Sequence, residues 1–310
     1  MKFALVFPGQ GSQSVGMLAA YGDAAPIRDT LAEASEALGQ DLWAMVADGP
    51  ADLLNQTVNT QPAMLAAGVA VYRLWQSQGG SAPAMMAGHS LGEYTALVCA
   101  GALKFADAVR LVRLRAAAMQ AAVPEGVGAM AAVLGLDDDA VRAVCAEAAQ
   151  GEVLEAVNFN SPGQVVIAGN KTAVERGCVL AKEKGAKRAL PLPVSVPSHC
   201  ALMRPAAEKL RAALAEVDVQ APSVTVLHNA DVAAHAAPDA IRDALARQLY
   251  SPVRWVETVQ AFSAQGIQLV AECGPGKVLA GLNKRIVEGL PGAAMADAAA
   301  LTETLAKIKA

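Results

Sequence analysis

"MMAGHSLGEYTAL" (residues 85–97) joins a short apolar run to a segment of helical character, and the break falls at His89-Ser90-Leu91 between Gly88 and Gly92. The apolar side, read back to "APAMMAG", is bounded by turn residues and is too short for a helix, so it reads as a buried strand. The other side, "LGEYTALVCAGAL", reads as a helix. A Gly-x-Ser-x-Gly between a strand and a helix is a nucleophile elbow: the glycines permit a sharp, strained turn that lifts the Ser90 hydroxyl above the sheet edge. The helix that follows aims backbone N–H groups and the positive end of its dipole at the same point, which suits an oxyanion forming on an attacked carbonyl. The same five residues without the flanking strand and helix would read equally well as an ordinary turn.

Outward from the elbow, strand and helix alternate. "FALVFPGQGSQ" is a buried strand that runs into a Gly-rich loop, helices follow through residue 78, and "FADAVRLVRLRAAAMQAA" has helical apolar spacing. Such alternation implies a parallel sheet covered by helices. Residues 125–196 read differently, as strand "GAMAAVLGL", helix "DDDAVRAVCAEAA", strands "LEAVNFN" and "QVVIAG", helix "NKTAVERGCVLAKEKG" and strand "KRALPLPV". The order βαββαβ is the ferredoxin-like pattern. The expected fold is therefore α/β: a large α/β-hydrolase-like domain with a parallel sheet (1–124 and 197–310) plus an inserted ferredoxin-like subdomain (125–196). The large unit resumes near Ser198 with a helix, a strand at "SVTVLHN", a helix and a strand at "IQLVAECG".

A chain of 310 residues with 54% hydrophobic content can bury one large core and a smaller one. Its net charge of -4, without a long basic block, argues against nucleic acid as a partner. The five cysteines are scattered, odd in number and never in a C-x-x-C pair, which argues against a disulfide framework and a zinc site and for a reducing compartment. "FALVF" is too short for a signal peptide and no apolar run reaches membrane-spanning length, so a cytoplasmic protein that does not enter the membrane is expected.

Serine needs a base, and the chain has four histidines. His89, adjacent to Ser90, should project elsewhere and support the elbow. His228 at a strand end and His235 in an Ala/Pro loop read as satisfied or solvated side chains. His199, in "PLPVSVPSHCALM", lies where the small unit rejoins the large one, and clefts form at such junctions; it also reads as a helix-start residue after a Pro-Ser turn. Ordinary α/β serine hydrolases place their histidine near the C-terminus. Here about a third of the chain follows His199.

"VFPGQGSQ", "GHSLGEYTAL", "RLVRLRAAAMQ", "NFNSPGQVVIAG", "LPVSVPSHCALM", "RQLYSPVRW" and "ECGPGKVL" occur in the order and spacing of the malonyl-CoA:acyl carrier protein transacylases, a family this sequence resembles over nearly its whole length. "VPSH" resembles the free-standing bacterial type II fatty-acid enzymes rather than domains of megasynthases. The resemblance implies that Ser90 takes malonyl from malonyl-CoA, that His199 is its base and later an acid, and that the backbone carbonyl of Gln248 orients the imidazole in place of a triad aspartate. It implies an oxyanion hole from the backbone N–H groups of Gln10 and Leu91, and Arg115 as the holder of the malonyl carboxylate. It puts Asn158 and Asn160 near the active site, although asparagines before Ser161-Pro162-Gly163 equally suit a turn. A planar guanidinium binds a carboxylate through two parallel hydrogen bonds, which favours the Arg115 role; without the resemblance Arg110, Arg113 and Arg115 read as a solvated helix face. The implied acceptor is the phosphopantetheine thiol of acyl carrier protein, and no cofactor is called for. "GPGKVL" reads as a strand-to-helix turn, or as a helix start able to meet phosphate. The chain is read as a monomer. A serine esterase or thioesterase using the same elbow is the alternative, separated from the transferase by the carboxylate anchor.

Overall fold

The strand Phe3–Phe7 (β1) is buried at every residue, so both of its faces must be covered. The computed structural model describes residues 1–194 and 196–310 and places β1 at the middle of a five-stranded sheet. Its neighbours are β2 (Met85–Gly88) and β8 (Leu269–Glu272), with β7 (Thr225–Leu227) and β9 (Gly292–Ala294) at the edges, and every pairing is parallel. Strand alternation divides the core. Phe3, Leu5 and Phe7 join one apolar cluster with the helices Ala25–Leu38, Thr57–Ser77, Phe105–Ala122 and Arg204–Ala215. Ala4 and Val6 join another, with Trp255, Val259 and Phe262 of the helix Trp255–Ala264.

The second sheet is antiparallel, in the order β4 (Leu154–Ser161), β5 (Gln164–Asn170), β3 (Gly128–Leu134), β6 (Arg188–Pro191). With helices Asp138–Ala149 and Lys171–Glu183 packed on one face, this is the ferredoxin-like arrangement. Its other face, carrying Met130, Val157 and Val166, packs on Cys200 of the larger unit. Backbone bonds link the two sheets' surroundings: Phe159 N donates to the Val253 carbonyl at 3.0 Å, and Val253 N to the Val157 carbonyl at 2.8 Å.

Several elements depart from the sequence reading, among them the helix read through Leu103, which ends at Cys99. The last strand of the small sheet ends at Pro191 instead of continuing to Val194, because each proline of "PLP" removes a ladder donor. Strand β9, "GAA", has no β-branched or aromatic residue to announce it. Ser195, inside "LPVSVPSH", lies outside the described residues. Among the described residues no helix is long and apolar enough to cross a membrane.

Candidate active site

Strand β2 ends at Gly88, and the helix Gly92–Cys99 begins four residues later, directly against β1. A Cβ on Gly88 would fall 1.8 Å from the carbonyl carbon of Gly92, and one on Gly92 would fall 2.0 Å from the Phe7 oxygen. Both glycines are therefore required by close backbone approach, and the turn between them forces Ser90 to φ 51°. Two distant residues hold that strained peptide. The Ser90 N–H donates to Asn229 Oδ1 at 2.7 Å, and its carbonyl accepts from Gln248 Nε2 at 3.0 Å.

His199 comes to the elbow from the turn after the small sheet. Its own backbone has φ 67°, and its N–H donates to the Leu249 carbonyl at 3.0 Å. His199 is 2% exposed. Nδ1 donates to the Gln248 backbone carbonyl at 2.8 Å, which leaves Nε2, 2.8 Å from Ser90 Oγ, to accept the hydroxyl proton. Burial, with the Arg115 cation nearby, pushes the imidazole down to about 3, so the ring is neutral near neutral pH and its Nε2 lone pair is open toward the Ser90 hydroxyl. A neutral imidazole on a serine hydroxyl is competent for nucleophilic attack on an acyl carbon.

Arg115 lies on the buried side of its helix, at 1% exposure, while Arg110 is exposed. Nη1 donates to Gln61 Oε1 at 2.8 Å, and Nη2 to Gln248 Oε1 at 3.0 Å and to Ser90 Oγ at 3.4 Å. Its guanidinium also lies 5.4 Å from the centre of the Tyr94 ring. Its hydrogen-bond partners among the described residues are all neutral oxygens. Burial lowers its pKa, since the medium disfavours the charge. A carboxylate entering here would meet a cation already dehydrated and oriented.

Ser90, His199 and Arg115 line one cavity of about 130 Å³ together with Gln10, Leu91, Asn158, Met119 and Met130. Neither the Gln10 nor the Leu91 backbone N–H has an acceptor among the described residues. Asn158 lines the cavity, and its buried Oδ1 has no hydrogen-bond partner among the described residues. Asn160 instead bonds His89 Nε2 at 2.8 Å, while the His89 ring packs against Trp255 in a tilted arrangement with centroids 5.5 Å apart. Gln61 and Asn229 escaped the sequence reading; Gln61 sits amid a wholly buried helix stretch, where an uncharged polar residue gives a weak signal. The "GPGKVL" helix start is satisfied internally, because Glu272 Oε2 accepts from the Ala280 N–H at 2.8 Å.

The acyl transferase domain family matches residues 4–303. The chain belongs to that family. This acyl transferase domain is 61% identical to the malonyl CoA-acyl carrier protein transacylase of Escherichia coli (strain K12), over 98% of this chain and 99% of that protein. Among solved structures it is similar to an acyl-carrier-protein S-malonyltransferase from Burkholderia pseudomallei 1710b, with 64% identity, a TM-score of 0.97 and coverage of 99% of this chain and 100% of that one. A malonyl-transacylase in complex with a type II PKS acyl-carrier protein is 56% identical, with a TM-score of 0.98 over 99% of this chain and 100% of that one.

Proposed function

We propose that this acyl transferase moves malonyl from malonyl-CoA to the phosphopantetheine thiol of acyl carrier protein, through a malonyl ester on Ser90. The observation that carries this reading is the convergence on Ser90 Oγ of a neutral imidazole at 2.8 Å and a buried guanidinium at 3.4 Å. In the first half-reaction Oγ attacks the thioester carbonyl as its proton passes to His199 Nε2. The tetrahedral oxyanion takes hydrogen bonds from the Gln10 and Leu91 backbone N–H groups. As the C–S bond breaks, His199 returns the proton to the leaving thiolate of coenzyme A. In the second, the carrier thiol gives its proton to His199 and attacks the ester, and Ser90 leaves with that proton. The Gln248 carbonyl holds the imidazole and the partial positive charge it acquires, in the role a triad aspartate has elsewhere. Arg115 binds the malonyl carboxylate; Asn158 borders the acyl group, and Asn160 steadies His89.

The chemistry uses no group beyond this chain, the thioester donor and the thiol acceptor. The malonyl-transacylase solved with an acyl-carrier protein supports such a protein as acceptor here. The product supplies fatty-acid chain elongation, in the cytoplasm. Residues 1–124 and 197–310 form the catalytic unit in this proposal, and 125–196 a smaller one that closes over it. Loading with labelled malonyl-CoA, removing the excess, and adding either buffer or pantetheine-bearing carrier tests the reading against a hydrolase. The label should persist in buffer and move to the carrier; rapid release of free malonate in buffer would establish an esterase instead.

A further inference from the structure

We propose that Glu93 is a positioning residue for malonyl loading: its buried carboxylate fixes the orientation of the Gln248 side-chain amide, and that amide sets Arg115 against Ser90. The inference rests on the malonyl-transfer reading above. Glu93 lies in the first turn of the helix after the elbow, where an exposed acid would simply complement the helix dipole. It is instead 0% exposed. Oε1 accepts from His228 Nδ1 at 2.7 Å, and Oε2 accepts from the Asn229 N–H at 2.8 Å and from Gln248 Nε2 at 2.9 Å.

Gln248 spends its other amide hydrogen on the Ser90 carbonyl at 3.0 Å and its oxygen on Arg115 Nη2 at 3.0 Å. A carboxylate facing three donors only accepts, and a guanidinium only donates. An amide between them therefore has one orientation; the reversed one would set NH2 against Arg115 and oxygen against Glu93. Asn229 forms a second branch. Positioned by Glu93 through its N–H, it accepts from the Ser90 N–H and donates from Nδ2 to the Gly88 carbonyl, both at 2.7 Å. Both backbone groups of the strained serine thus have partners that the Glu93 carboxylate holds, the carbonyl accepting in addition from the Glu93 backbone N–H at 3.1 Å. Glu93 has no hydrogen bond to Ser90 Oγ, His199 or Arg115 and acts through Gln248 and Asn229.

Glu93→Gln keeps the volume and offers Gln248 either a donor or an acceptor, so the amide loses its anionic anchor and is held in direction only by Arg115 and the Ser90 carbonyl. The test measures malonyl-Ser90 formation from malonyl-CoA, acetyl loading from acetyl-CoA, and folding by thermal unfolding, on native protein, Glu93→Gln, Gln248→Met and the double variant. Expected in Glu93→Gln are a loss of malonyl loading of about tenfold or more and a fall of at least about fivefold in the malonyl-to-acetyl ratio in folded protein. The double variant should show no lower ratio than Gln248→Met alone, because the two residues act in series. An unchanged ratio in Glu93→Gln overturns the proposal, whether activity is kept or both substrates decline together, and so does a double variant whose ratio losses multiply. Should Glu93→Gln fail to fold, Gln248→Met decides by the same ratio, whose preservation overturns the bridge. Native protein that forms no malonyl-Ser90 would overturn the transfer reading itself, and this inference with it.

Discussion

Replacing Arg115 with alanine is expected to separate malonyl transfer from acetyl transfer. The guanidinium is buried at 1% exposure, and its hydrogen bonds run to Gln61, Gln248 and Ser90, none of them charged. Malonyl would bring the missing anion and acetyl would not. Two hydrogen bonds to a charged group contribute about 1.5–3 kcal/mol each, and dehydration of the incoming carboxylate offsets part of the sum. A net loss of about 3–4 kcal/mol, at about 1.4 kcal/mol per tenfold, is a fall of roughly two to three orders of magnitude in kcat/KM for malonyl-CoA. Acetyl-CoA, which strands the cation in the native enzyme, should hold level or improve. Arg115→Lys should fall between, since it keeps the charge and loses the planar fork. The assay is kcat/KM for both thioesters on all three proteins, each first shown to be folded because alanine leaves the Gln61 and Gln248 oxygens without their donor. Equal losses for both substrates in Arg115→Ala would refute the reasoning and make the residue structural.

Removing His199 as alanine should slow loading by at least about a hundredfold. With the native ring held down to about 3, loading should be nearly flat from pH 8 to pH 5, whereas an unperturbed histidine would halve it near 6.5. The same shift makes the unfolded chain bind more protons between about 3 and 6.5, so this group's contribution to stability is complete above 6.5 and declines as pH falls through that window. Glu272 acts in the opposite sense. Burial pushes its carboxyl up to about 7, so the folded chain holds the extra proton between the ordinary 4.5 and 7, and stability from this group is lost as pH rises through that range. Glu272→Gln should accordingly raise Tm more at pH 8 than at pH 5, by about 2–4 °C for each kcal/mol recovered; a Tm difference independent of pH would contradict the shift.

The elbow was legible because its signals are local: a short apolar run, two glycines and a helix lie within thirteen residues. The alternation that gives both sheets is local in the same sense, while the edge strand "GAA" had no side-chain pattern to read. Arg115 carried a signal that spacing alone could have supplied. It lies five positions from exposed Arg110, about 140° around the helix at 3.6 residues per turn, and four from buried Leu111 and Met119. Glu93, Asn229 and the Gln248 side chain were not legible. Their bonds span 133 to 158 residues, and in the sequence they are a helix-start acid, a strand-end asparagine and a helix-end glutamine. The paired approach of β2, β7 and the helix ending at Gln248 creates their chemistry.

The central claim is that Ser90 carries the acyl group between two thiols. Intact-mass measurement after exposure to malonyl-CoA alone, on native protein and on Ser90→Ala, tests it most directly. A single malonyl adduct is predicted on the native chain, located at Ser90 by peptide mapping, and none on the variant. The same adduct on Ser90→Ala, or its absence from folded native protein, would contradict the account.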